Sequence, residues 1–171
     1  MKEFLFTIIF IFSLIVPSYS FPIKVFEGVV IKVIDGDTIT VKTDVGKEYK
    51  IRLAYIDSPE FGKSFHDVNQ SFAIESKKTL SNKILNQRVL INVISIDRYK
   101  RRIGIIVFEG RDINLEHVSE GLAEVYKKYL PNDYIGKKFL EKEFIAQKNK
   151  IGIWSMENYQ SPSEFRKNKR K

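Results

Sequence analysis

Polar and apolar residues alternate along residues 28–57, which is the pattern of strands with one buried face. Three short stretches follow it, and their alternating apolar residues are Val29, Ile31 and Val33, then Ile39 and Val41, then Ile51, Leu53 and Tyr55. Turn sequences that contain Asp and Gly separate the stretches at 35–37 and 44–46. The pattern therefore predicts a meander of three strands in which sequence neighbours pair.

The hydrophobic period changes to that of a helix over residues 69–85. The residues on its apolar face are Phe72, Ala73, Ser76, Leu80 and Ile84. Alternation returns at 88–97 and 102–108, which predicts a second strand pair, and further helices are predicted at 114–120 and 134–148. These elements fit an α+β fold, a five-stranded OB-type β-barrel with three helices. The open face of such a barrel commonly binds nucleic acid.

Composition narrows the class of partner and of chemistry. The chain has 171 residues, and 29 Lys and Arg against 21 Asp and Glu give a formal net charge of +8. This balance favours a polyanionic partner, either nucleic acid or an anionic membrane surface. The absence of cysteine excludes thiolate catalysis and cysteine zinc sites. Only two histidines are present, His66 and His117, which argues against a multi-histidine metal site.

The two ends of the chain differ from the rest. Residues 1–20 combine a basic residue, an apolar run shorter than a membrane span needs, and small residues at the end, the layout of a secretory signal peptide. We therefore expect export to the periplasm or the medium with no stable membrane insertion after cleavage, or else retention by an uncleaved anchor. Residues 21–160 would form the folded domain. The basic segment 161–171, with five positive charges in 166–171, is predicted to be a disordered tail or an electrostatic anchor for polyanions.

Charged clusters stand at three predicted strand ends, over residues 34–38, 52–60 and 97–102. The first is a tight turn with two aspartates around Gly36, and the third is a charged turn that contains several arginines. Each of these two is also an ordinary hairpin turn when taken alone. The second places Arg52 on the opposite strand face from its apolar neighbours and is followed by two carboxylates. Together the three clusters predict a functional site rather than three separate solvated turns.

The residue types of these clusters suit metal and phosphate. Hard divalent cations take oxygen ligands, which Asp37 and Asp57 could supply as carboxylates and Ser58 as a backbone carbonyl, while Glu60 could hold a water. A phosphodiester needs fixed positive groups for the charge that builds on its oxygens, and the planar fork of arginine suits this better than lysine. With Arg52, an arginine of the third cluster would give two such groups.

These stretches resemble the thermonuclease, or staphylococcal nuclease, family. The matching pieces are VIDGDT (33–38), RLAYIDSPE (52–60), DRYKRRIG (97–104), NLEHVSEGLAEV (114–125) and GIW (152–154). They come in the family's order at similar spacing and cover essentially the whole chain after residue 20. The resemblance implies an OB-type barrel with three helices and a calcium-dependent phosphodiesterase. Such an enzyme hydrolyses DNA and RNA without sugar preference and leaves 3'-phosphate ends.

The resemblance also implies a role for each matched residue. The calcium ligands are Asp37, Asp57 and the carbonyl of Ser58. The catalytic residues are Arg52 and Arg101, which clamp the phosphate, and Glu60, which activates the attacking water. The substrate-binding residues are Tyr99, Lys127 and Tyr129. The two tyrosines could equally be ordinary, partly buried side chains, and the mature protein is expected to act as a monomer.

Three departures from the family pattern bear on this interpretation. Ser58 stands in place of a threonine, which is harmless if only its carbonyl binds metal. Lys100 replaces a glycine and would shift Arg101 if the turn needs a positive φ angle. Lys127 replaces a tyrosine, which favours phosphate contact over base stacking. The alternatives are a non-catalytic nucleic-acid-binding module on the same fold and a basic membrane-surface protein.

Overall fold

The structure is a computed structural model that describes residues 24–62 and 68–169. The signal peptide predicted at 1–20 and the last two residues of the predicted tail lie outside this part of the chain. The strands are β1 (Lys24–Val33), β2 (Thr38–Lys42), β3 (Glu48–Leu53), β4 (Ile56–Asp57), β5 (Arg88–Ile96), β6 (Arg102–Phe108), β7 (Arg111–Asp112) and β8 (Glu124–Val125). The helices are α1 (Ala73–Ile84), α2 (Ile113–Ser119), α3 (Tyr134–Lys148) and α4 (Pro162–Asn168).

Five of the strands form the closed barrel that the alternation predicted. The sheet runs in the order β3, β2, β1, β5, β6, and β3 also pairs with β6 in parallel, which closes the cylinder. The register places Thr38 opposite Arg52, and Arg52 opposite Ile103. Consequently the turn before β2, the end of β3 and the start of β6 lie together at one end of the barrel.

The predicted face of the first strand is wrong in part. Val30 and Val33 are buried in the core, whereas Ile31 is 39% exposed. The cause is an irregularity in the β1–β2 pairing between Val30 and Lys32, where the register shifts. A β-bulge of this kind inserts one residue and inverts the alternation beyond it. The second and third strands follow the prediction, with Ile39, Val41, Ile51 and Leu53 fully buried.

The three predicted helices are present. Helix α1 buries Ala73, Ser76, Leu80 and Ile84 on the predicted face, and Phe72 precedes it as the capping residue. Helix α3 begins as predicted after Asp133, whose carboxylate accepts a hydrogen bond from the Gly136 amide at 3.1 Å. Of the helices in residues 24–62 and 68–169, none is long and apolar enough to cross a membrane.

The prediction of a disordered tail is wrong where the structure describes it, because Pro162–Asn168 form α4. The Ser161 hydroxyl accepts from the Glu164 amide at 3.1 Å, and the Ser161 amide donates to the Glu164 carboxylate at 3.0 Å. This reciprocal capping box, with Pro162 in the first turn, is a helix start signal. The basic residues of this segment suggested disorder, although its capping box predicts a helix.

Candidate active site

The turn at residues 34–38 requires glycine at its centre because other groups approach closely. A Cβ atom on Gly36 would lie 1.9 Å from the Ser76 Oγ and 2.7 Å from the Ser58 Cβ. The Ser76 Oγ lies 2.9 Å from His117 Nε2, and both side chains are fully buried. The turn that carries Asp37 is thereby packed directly against α1 and α2.

Asp37 is buried and only 5% exposed. Its Oδ2 accepts from the amide and the hydroxyl of Ser58, each at 2.8 Å, and its Oδ1 accepts from the Thr38 hydroxyl at 3.0 Å. Burial opposes ionisation of this carboxyl, but the Arg52 charge and the Ser58 hydrogen bonds hold the pKa of Asp37 below its usual range. Asp37 is therefore a fixed, buried carboxylate.

Arg52 joins the two predicted metal ligands. Its Nη1 lies 2.6 Å from Asp37 Oδ2 and its Nη2 lies 2.9 Å from Asp57 Oδ1. Asp57 is completely buried at the end of β4. A planar guanidinium can contact two carboxylates at once, which a lysine ammonium on a flexible stem cannot do with the same fixed geometry. The three residues form a compact ion cluster at the open end of the barrel.

Glu60 completes what we call the carboxylate cluster, formed by Asp37, Asp57 and Glu60. Arg166 of α4, which the sequence did not predict, makes ion pairs with both Asp57 and Glu60. Arg166 Nη2 donates to Asp57 Oδ2 at 2.7 Å and Nη1 to Asp57 Oδ1 at 3.1 Å. Although burial acts in the opposite direction, these contacts raise the pKa of Arg166 above its usual range. The only signal for this contact was the capping box that places α4.

Arg101, the second predicted clamp, does not join this cluster. Its Nε donates to Asp97 Oδ2 at 2.7 Å and its amide donates to Asp97 Oδ1 at 3.0 Å. Lys100 takes a φ of 62°, so the turn does use the left-handed conformation that a glycine favours. Burial alone would raise the pKa of Asp97, but the hydrogen bonds from Arg101 hold it low. Arg101 stands beside the site with its guanidinium bound to a neighbour.

The three predicted substrate residues lie on the surface. Tyr99 is 65% exposed and Tyr129 is 61% exposed, so neither is the partly buried side chain of the alternative interpretation. Their rings contact neighbours at the edge, Tyr99 beneath Arg98 at 4.8 Å and Tyr129 against Tyr126 at 5.2 Å. Lys127 is exposed and its Nζ lies 3.2 Å from Glu143 Oε2. Both rings are therefore exposed, with cationic side chains packed over them.

A further carboxyl lies beside the cluster. Asp57 and Glu124 are opposite each other in the pairing of β4 with β8. Burial raises the pKa of Glu124 to about 7, against a hydrogen bond of 2.7 Å from the Tyr159 hydroxyl. Asp35, on the other side, also has its pKa raised to about 7 by burial and by the charge of Asp37. Asp35 and Glu124 are thus carboxyls with raised pKa values on either side of the cluster.

The donor chemistry of the cluster fits a hard divalent cation. Its side-chain donors are carboxylate oxygens only, two of them on buried residues, and such donors suit calcium or magnesium rather than softer metals. Within the described residues, no group of three or more His, Cys, Asp or Glu side chains is arranged to hold a metal. Guanidinium groups lie between the carboxylates, so a metal would replace ion pairs that the protein makes with itself.

Comparison with known proteins identifies relatives that cover most of the chain. A family model described as staphylococcal nuclease homologue matches residues 50–156. A Haemophilus influenzae protein named uncharacterized endonuclease is 38% identical over 138 residues, which are 81% of this chain and 71% of that protein. A micrococcal nuclease of Shigella flexneri is 32% identical over 83% of this chain and 81% of its own. A probable endonuclease of Saccharomyces cerevisiae is 33% identical over 68% of this chain and 45% of its own.

Proposed function

The chain belongs to the staphylococcal nuclease family, and from this membership we propose that it is a nuclease that hydrolyses phosphodiester bonds of DNA and RNA. The observation that carries the proposal is Arg52, held between two buried carboxylates at the open end of an OB-type barrel. The match to the family model includes Arg52, Asp57, Ser58, Glu60 and Arg101. Asp37 lies before the matched region, and its place in the site is supported by its contact with Arg52.

We propose calcium as the metal. Asp37, Asp57 and the backbone carbonyl of Ser58 would hold it, because hard cations of this size take carboxylate, carbonyl and water oxygens together. A bound cation would neutralise phosphate charge and bring a water close to the reacting phosphorus. The folded protein supplies the remaining groups from its own side chains.

We propose the following roles for these side chains. Arg52 stabilises the negative charge that develops on the phosphate oxygens, since it is fixed by the carboxylates and need not reorganise during the reaction. Glu60, 35% exposed at its side chain, is the carboxylate with access to solvent and takes the proton of the attacking water. Arg101 turns from Asp97 to the phosphate when substrate binds. The bond between phosphorus and the 5'-oxygen then breaks. One fragment keeps a 3'-phosphate and the other ends in a 5'-hydroxyl.

The experiment is a cleavage assay on the chain that begins at residue 21. Single-stranded DNA and RNA should both be degraded with calcium, the reaction should stop with chelator, and it should resume when calcium is restored. Product ends that polymerase extends only after phosphatase treatment would carry 3'-phosphates. If folded, calcium-loaded protein binds DNA and leaves it intact, the chain is a binding module on this fold.

We propose export through residues 1–20, which fractionation of cells that express the full chain would test.

A further inference from the structure

The end of the chain reaches into the carboxylate cluster. Residues 159–169, which we call the C-terminal latch, carry Arg166 to Asp57 across 109 positions of sequence. Arg166 uses Nη1 and Nη2 on both oxygens of Asp57, while Nη1 also contacts Glu60. Asp57 Oδ1 accepts from Arg52 as well. Both oxygens of this buried carboxylate are therefore bound by guanidinium groups.

The helix of the latch buries little of its own surface. Pro162 is the one buried residue of α4, and a seven-residue helix is marginal without packing. Polar contacts hold the latch to the body: Gln70 Nε2 donates to the Gln160 carbonyl at 2.6 Å, and Lys169 Nζ donates to the Val68 carbonyl at 3.0 Å. At its start, Tyr159 bonds to Glu124. Such a segment can separate from the barrel without loss of the core.

The charges of the site indicate what could replace Arg166. Three carboxylates face two guanidinium groups, those of Arg52 and Arg166, so the cluster retains one net negative charge. Withdrawal of Arg166 leaves two negative charges, which a divalent cation balances. A cation and Arg166 also require the same Asp57 oxygens. The two cannot be bound fully at the same time.

We propose that the C-terminal latch is an internal competitor of the metal, and that Arg166 blocks Asp57 and Glu60 until a divalent cation displaces it. The inference rests on the proposed function in taking Asp57 as a metal ligand. With the latch in place, the metal ligand and the candidate base are both engaged, so the site is closed to chemistry. Cation binding then releases α4 and frees Glu60 together with Asp57.

Calorimetric titration with calcium, in the absence of nucleic acid, tests the competition directly. Arg166→Gln should bind calcium about tenfold more tightly than the wild type, since the ion pair of Arg166 with Asp57 and Glu60 is removed from the competition. Lys167→Gln is the matched control, because it removes the same charge from an exposed position of the same helix. It should change the affinity by less than about twofold, which is the effect expected of an exposed charge.

Hydrogen exchange of the wild-type chain gives a second readout. Calcium should speed the exchange of the amides of Glu164 to Asn168 while the strand amides of the barrel stay protected. Equal or weaker calcium binding by Arg166→Gln, slower α4 exchange with calcium, or no calcium binding by either protein would each overturn the proposal. Cleavage is measured separately. If Arg166→Gln binds calcium more tightly but cleaves no nucleic acid, the latch is upheld and the proposed nuclease activity is refuted.

Discussion

The Asp97 carboxylate holds Arg101 through two contacts, one from the backbone amide at 3.0 Å and one from the guanidinium Nε at 2.7 Å. Asp97 also accepts from the Tyr99 amide at 2.9 Å, so one carboxylate organises the whole β5–β6 turn. The turn includes Lys100 in the left-handed region. The position of Arg101 is thus determined by the turn and not by the carboxylate cluster.

We expect Lys100→Gly to stabilise the protein. Lys100 has a φ of 62°, and replacement by glycine removes the steric cost of this conformation at the expense of some chain entropy in the unfolded state. The left-handed conformation costs a non-glycine residue about 1–2 kcal/mol, and the entropy cost of glycine offsets part of it, so the free energy of unfolding should rise by about 0.5–1 kcal/mol. Urea unfolding measures it, with Lys100→Ala as the control that loses the charge and keeps the strain. Equal stability of the two variants would mean that the turn carries no strain.

Arg52→Lys should lower turnover by about 100-fold or more, because one ammonium cannot reproduce a fork held between two carboxylates. The protein should still fold, with Asp37 or Asp57 less well paired. The rate is measured at saturating calcium, at a temperature where unfolding curves show both proteins to be folded. Arg88→Lys is the control, since Arg88 makes a two-contact pair with exposed Asp44. Wild-type rates from Arg52→Lys would remove this residue from the mechanism.

Tyr129→Leu should raise KM for single-stranded DNA and leave kcat nearly unchanged. The exposed ring can stack on a base, and loss of one such contact costs about 1–3 kcal/mol, which corresponds to about fivefold or more. Tyr134 is 75% exposed at the start of α3 and serves as the matched control, Tyr134→Leu. A shift of the same size in both variants would show a general loss of surface aromatics rather than a substrate contact.

The buried His117 should make the protein sensitive to acid. Burial lowers the pKa of His117 to about 4, and the charge of Lys83 adds to this shift. The folded state therefore binds fewer protons than the unfolded state between pH 6.5 and pH 4, and stability falls as the pH falls. From pH 7.5 to pH 5 the loss should be about 2 kcal/mol greater in the wild type than in His117→Gln.

Urea unfolding at the two pH values measures this difference. Asp35 and Glu124, whose pKa values are raised to about 7, oppose the trend in both proteins and so cancel in the comparison. If the wild type and His117→Gln lose the same stability, His117 is not the group that is protonated on unfolding. A direct titration of the imidazole by NMR would then report its true pKa.

The barrel could be predicted from the sequence because strand alternation and turn residues are local signals. Ile39 and Ile51 are buried as their spacing indicated, and Asp133 begins α3. The bulge at Val30 could not be foreseen, since residues 29–31 are all apolar and alternation alone does not say which of them face the core. Its cause is the pairing with β2, which a reading of β1 alone does not contain.

The site divides in the same way. Asp37, Arg52 and Asp57 converge because each stands at the end of an adjacent predicted strand, and strand order brings such ends together. Arg166 stands outside every periodic pattern, in a helix of seven residues, and its partner is 109 positions away. Arg101 was placed at the correct turn, but its bond to Asp97 depends on side-chain geometry within the turn.

The parallel pairing of β3 with β6 also bears on the order in which contacts can form in a newly made chain. The contacts of Arg52 span five residues to Asp57, so they form as soon as the meander does. Closure of the cylinder waits for β6, and the contact of Arg166 waits for the last residues of the chain. Arg52 can therefore reach Asp57 within the meander alone, whereas the second guanidinium can be added only once α4 has been made.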